Sequence, residues 1–130
     1  MLLVWVAIGS ALGGAARFFV SGLVARAVGE TFPWGTMTVN VTGSFAIGVL
    51  FSLIEPHGLF ARPEAWPLAV IGFLGSYTTV SSFSLQTLAL LQDGERARAI
   101  GNVVLSLALC LSAVAVGVLG AHAVLTGGGV

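Results

Sequence analysis

Gly72-Phe73-Leu74-Gly75-Ser76-Tyr77-Thr78-Thr79-Val80-Ser81-Ser82-Phe83-Ser84 sets two glycines ahead of a dense hydroxyl cluster, in the middle of an otherwise apolar run from Trp66 to Gln92. A membrane helix needs about 20 mostly apolar residues to cross the hydrocarbon. This run qualifies, and so do the stretches at about 2–28, 34–54 and 98–125. The expected fold is an all-α membrane protein, a single four-helix transmembrane domain over residues 1–130. Backbone bonds at membrane depth can be interrupted only where other groups satisfy the freed amides and carbonyls, and a hydroxyl cluster can do so. An interrupted third helix is therefore expected. Serine and threonine also bond back to the preceding turn, which keeps a continuous helix open as the alternative. Freed carbonyls would suit a hard cation, while freed amides and hydroxyls would suit an anion.

Composition supports a membrane location. Of the 130 residues, 57% are hydrophobic and 8% charged, where a soluble domain carries about 25% charged residues. The charges cluster between the apolar runs and sum to zero, with no lysine. No basic stripe is present to follow a phosphate backbone, so no nucleic-acid partner is expected. Cys110 is the sole cysteine, which excludes an intrachain disulfide and a cysteine-based metal cluster. The first run starts at Leu2 without a basic n-region and is longer than a signal-peptide core, so it reads as a retained helix.

The connections are short. Gly29–Pro33, Glu55–Ala65 with its two prolines, and Gln92-Asp93-Gly94-Glu95 carry turn formers and charges suited to a water interface. Trp34 and Trp66 stand at segment starts, where amphipathic rings prefer the headgroup layer, and the tail Thr126–Val130 reads as frayed. Arg26, Arg96 and Arg98 fall on one side against Arg62 on the other. So weak an arginine bias permits insertion in both directions, and hence pairing of oppositely oriented copies. Gly9 with Gly13, Ser44 with Gly48, and Ala113 with Gly117 have the spacing for close helix contact, within one subunit or between two.

Polar groups inside the runs are few. Arg17 lies 11 residues before Val28, about 16 Å of helix, too deep for simple snorkelling. No carboxylate lies within a run to pair with it. An arginine there faces a water-filled vestibule that attracts anions, or bonds to helix-end carbonyls. Asn40 shares a helix face with Thr36. Its amide offers two donors, which can replace water around an anion without a charge that would hold it too tightly, or can bond a neighbouring helix. Asn102, Ser106 and Cys110 form a milder stripe on the fourth run, which ordinary packing explains nearly as well. His57 and His122 have no partner at metal-ligand spacing and read as interfacial.

Gly13-Gly14-Ala15-Ala16-Arg17-Phe18, Gly35-Thr36-Met37-Thr38-Val39-Asn40-Val41-Thr42-Gly43-Ser44 and the Gly72–Ser84 run together resemble the CrcB/Fluc fluoride channel family, in order, spacing and depth. The likeness spans all four helices. It implies an antiparallel, dual-topology homodimer in the cell (inner or plasma) membrane, with two pores for passive fluoride export that lowers fluoride toxicity. It also implies a structural sodium ion where the third helices of both copies break. By motif position Arg17 falls at the vestibule arginine, Asn40 at the pore asparagine and Phe83 at the second of two pore phenylalanines. Gly75 and Thr78 fall where backbone carbonyls hold sodium, and Thr36 and Ser106 on a hydroxyl track. Asn40, Phe83, Thr36 and Ser106, with Thr79 and Ser82 from the hydroxyl cluster, make up the expected fluoride pathway through the lipid bilayer. Three positions depart from the pattern: Val80 replaces the first pore phenylalanine, Tyr77 a smaller or aliphatic residue, and Asn102 a tyrosine found in some members.

Fluoride is small and strongly hydrated, so a pore must return hydrogen bonds as it strips water. Amide and hydroxyl donors can do this, and aromatic edges with partial positive charge can add weak contacts. Two other classes compete. A proton-coupled multidrug exporter needs an intramembrane acid, which the four runs lack. A non-transporting assembly protein also uses hydroxyl stripes as helix glue, and differs in moving no ion. No nucleophile, base and orienting group can be assembled from the intramembrane residues, so no enzyme activity is expected.

Overall fold

A computed structural model of the chain describes residues 1–57 and 62–127. Among these, four helices or helical assemblies are long and apolar enough to cross a membrane: Leu2–Val28, Trp34–Leu53, Pro67–Gln92 and Arg96–Gly127. The first is α1, Leu2–Val28, and the second belongs to α2, Trp34–His57. The third is divided. Its first half, α3 (residues 67–77), is a π-helix over Pro67–Leu74 that closes on one α turn, Gly75–Tyr77. Its second half is α4, Val80–Gln92. The last span lies in α5, Arg96–Gly127.

Two helices differ from the sequence expectation in where they end or begin. The second helix runs to His57 instead of ending near 54, so Pro56 lies in its last turn and the loop is shorter than 55–65. The rest of that loop, 58–61, lies outside the described residues. The fourth helix is longer at both ends than 98–125, because Arg96 and Arg98 suit a helix as well as a loop. Of the tail expected to fray, Thr126 and Gly127 close α5 and 128–130 lie outside the described residues.

The helices pair as α1 with α3 and α2 with α5, while α4 leans mainly on α5. The close pairings run through glycine. A Cβ on Gly9 would strike the Leu68 carbonyl, and one on Gly13 the Phe73 carbonyl. On the other pair, Gly48 lies against the Val114 carbonyl and Gly117 against that of Phe45. In a lipid solvent no hydrophobic force drives helices together, so such backbone approach and its dispersion contacts are what hold them. The small-residue pairs noted in the sequence thus serve contacts within one copy. The outer faces stay apolar, with Phe18, Phe19, Val80 and Leu85 mostly exposed.

Candidate functional site

The polar centre is the gap between α3 and α4. Thr78 (φ −78°, ψ 156°) and Thr79 (φ −151°, ψ 122°) are extended, which ends one helix and starts the next. Asn40 holds the gap open. Its Oδ1 accepts the Thr79 N–H at 2.7 Å, and its Nδ2 donates to the Thr79 carbonyl at 2.9 Å. The side-chain amide so pairs with both backbone groups of one residue, as a neighbouring strand would. Thr79 then caps α4 by accepting the Ser82 N–H on Oγ1 at 3.2 Å. Gly43 makes room for the crossing, since a Cβ there would strike the Thr78 methyl.

The break frees the last carbonyls of α3, those of Gly75 and Thr78 among them. In an unbroken helix the Thr79 N–H would bond the Gly75 carbonyl, and the Ser82 N–H that of Thr78. Both donors are engaged elsewhere. Gly75 is exposed on the protomer surface and Thr78 half-buried. Neutral backbone oxygens of this kind fit a hard cation such as sodium.

A cavity of about 220 Å³ reaches the gap, lined by Arg17, Ser21, Thr36, Thr79 and Ser82 together with Gly14 and Phe18. It shares Ser21, Thr36 and Ser82 with a larger cavity of about 790 Å³ that opens among Glu30, Asp93, Glu95 and Arg98. The ends of α1 and α4 and the starts of α2 and α5 frame this mouth, so a polar route leads from one end of the bundle to the broken helix. Among the described residues the only ion pair is Arg98 with Glu95 at 3.7 Å, on the exposed rim. Arg17 is half-buried and brings positive charge to the inner cavity, with no carboxylate partner among the described residues.

Arg17, Thr36, Thr79 and Ser82 are therefore brought together, and Asn40 joins them through Thr79. Its second amide hydrogen is not used by the Thr79 bond. Ser106 and Phe83 lie apart from the cavity linings: Ser106 is buried on α5, bonded to Asn102 at 3.4 Å. Val80 is 77% exposed at the protomer surface. Tyr77 stacks on Phe73, centroids 5.8 Å apart, and its hydroxyl meets Thr42 Oγ1 at 2.9 Å. Two lining residues were missed in the sequence. Ser21 follows Arg17, and Gln86 follows Ser82, by one helical turn, a spacing that could have found both. Gln86 Oε1 is buried without a hydrogen-bond partner among the described residues.

Fold and site together define a small polytopic membrane protein built round a donor-lined cavity suited to a small anion. Residues 4–118 match the family described as CrcB-like protein, Camphor Resistance (CrcB), and the chain belongs to that family. It is 63% identical over 116 residues to fluoride-specific ion channel FluC 2 of Rhodopseudomonas palustris (strain BisB18), covering 88% of each chain. It is 60% identical over 115 residues to FluC 2 of Bradyrhizobium diazoefficiens, covering 88% of this chain and 84% of that one. Against fluoride-specific ion channel FluC of Rhodospirillum rubrum the identity is 47% over 122 residues, covering 93% and 95%.

Proposed function

We propose that this chain is a fluoride-specific ion channel that lets fluoride leave the cytoplasm passively and so lowers its toxicity. The observation that carries this reading is the cavity itself, in which a guanidinium and four hydroxyls converge on a helix break pinned by Asn40. A small anion shedding water there meets donors from Thr36, Ser82 and the Asn40 amide hydrogen left over by the Thr79 bonds. The Thr79 hydroxyl donates to Ser82 Oγ at 3.2 Å and so leaves the Ser82 hydrogen to the ion. Arg17 raises the local anion concentration, since a charge in a low-dielectric cleft focuses its field. Donors without full charge let the ion leave again. Phe83 and Ser106 extend the pathway beyond the cavity described within one copy.

The channel works as an antiparallel homodimer in the cell membrane, with the break at the bilayer midplane. Support for pairing comes from the exposed Val80 and Gly75 beside the break, where a second copy would cover apolar surface and bring its own freed carbonyls. The Gly75 and Thr78 carbonyls of both copies would hold sodium, whose charge supplies electrostatic crosslinking between them. The cellular test is growth of a fluoride-sensitive bacterium in acidic medium, where hydrogen fluoride enters neutral and dissociates inside. Expression of this chain should restore growth in fluoride, and failure of a well-expressed chain to do so would overturn the reading.

A further inference from the structure

A helix broken by two extended residues loses the backbone bonds that would fix the rotation of its second half. The azimuth of α4 is left to its packing on α5 and to side-chain tethers, and it matters, because α4 presents Ser82 and Gln86 to the cavity while Leu85 faces outward. Asn40 pins the start of α4 at Thr79. That contact lies on backbone near the helix axis and resists rotation poorly. The second polar tether lies eight residues on, about 12 Å along the helix. There Asn102, 1% exposed, donates from Nδ2 to Thr87 Oγ1 at 2.9 Å.

The bonds around Asn102 run in one direction. Ser106 Oγ donates to Asn102 Oδ1 at 3.4 Å, Asn102 Nδ2 donates to Thr87, and the Thr87 hydroxyl donates to the Phe83 carbonyl at 2.7 Å. The amide therefore has its acceptor and one donor committed, and the chain of bonds ends on the backbone of the residue that follows Ser82. We infer that Asn102 is a positioning residue for the ion pathway, fixing through Thr87 the rotation of α4 that turns Ser82 and Gln86 into the cavity. This inference rests on the channel reading for its consequence and on the α4–α5 contact for its geometry. A tyrosine at 102 has no carboxamide to accept from Ser106 and donate to Thr87 at once, so the departure at this position has a role of its own.

The test combines two readouts in a Cys110→Ser background. One is the rate at which a water-soluble methanethiosulfonate reagent modifies the thiol introduced by Ser82→Cys, and the other is fluoride efflux from liposomes without that thiol. Asn102→Leu keeps the volume, and Ser106 can turn its hydroxyl to its own helix. Labelling and efflux should each fall roughly threefold to tenfold, the range of one interhelical hydrogen bond in a membrane, with an unchanged elution profile. Thr87→Val should match it, the double variant should be no worse than either, and Thr87→Ser should keep both readouts. Unchanged labelling, losses that multiply in the double variant, failure of Thr87→Ser, or losses accompanied by aggregation would overturn the inference. If the unmodified chain passes no fluoride, the channel reading falls, and the labelling arm still decides whether Asn102 sets the helix rotation.

Discussion

The two halves of the third span are held by different physics. α3 is fixed by backbone packing: its Leu68 and Phe73 carbonyls rest on Gly9 and Gly13 of α1, and Gly72 lies so close that a Cβ would stand 2.7 Å from the Val6 carbonyl. α4 has no such glycine seam. Side-chain amides hold it, Asn40 at its start and Asn102 two turns on. Steric contact gives a rigid anchor that tolerates no added atom, whereas hydrogen bonds hold a segment that also has donors to offer an ion. In the proposed channel the first half serves assembly and the second the pathway.

The largest effect should come from attacking the anchor. Gly13→Val places branched carbon against the Phe73 carbonyl, an overpacking that costs about 1–3 kcal/mol or more where only backbone can yield. Little monodisperse protein should be recovered by size exclusion in detergent. Gly120→Ala, where nothing lies within 4 Å of an added Cβ, should be recovered as the parent is. Equal recovery of both glycine variants would remove the distinction between the halves.

Attacking the tether should give the opposite pattern. Asn40→Leu removes both bonds to Thr79 and the free donor, so protein should still be recovered while fluoride efflux falls about tenfold or more. Efflux at the parental rate would move Asn40 to packing alone. A smaller loss is expected from the aromatic surface of α4. Phe83→Ile removes an aromatic edge worth about 0.5–1.5 kcal/mol, or roughly threefold to tenfold in rate, while Val80→Phe should preserve or raise efflux. If neither changes it, Phe83 takes no part in the pathway.

The four spans were legible because hydrophobic length is a property of consecutive residues, which is also why the helix ends at His57 and Gly127 were not: a boundary depends on what the last turn meets. The broken third helix was legible in kind, from two glycines and a hydroxyl cluster. Its place could not be read from the run alone, because Asn40, 39 residues away, selects Thr79, and only the resemblance pointed to the neighbourhood of Gly75 and Thr78. Arg17, Thr36, Thr79 and Ser82 could be named from depth and motif, and they do share one cavity. Ser21 and Gln86 could not be told from ordinary helix polar residues until α1, α2 and α4 were placed together. At Tyr77, a departure from the family pattern, the hydroxyl meets Thr42 on α2, a contact the sequence did not disclose.

The central claim is that the donor-lined cavity conducts fluoride and rejects larger anions. Its most direct test is efflux from liposomes holding the purified chain, loaded with fluoride or with chloride and followed by ion-selective electrodes under a potassium gradient with valinomycin. Rapid loss of fluoride with chloride retained, slowed about tenfold or more by Asn40→Leu, is the predicted result. Retention of fluoride by liposomes that contain intact protein, or equal loss of both anions, would contradict it.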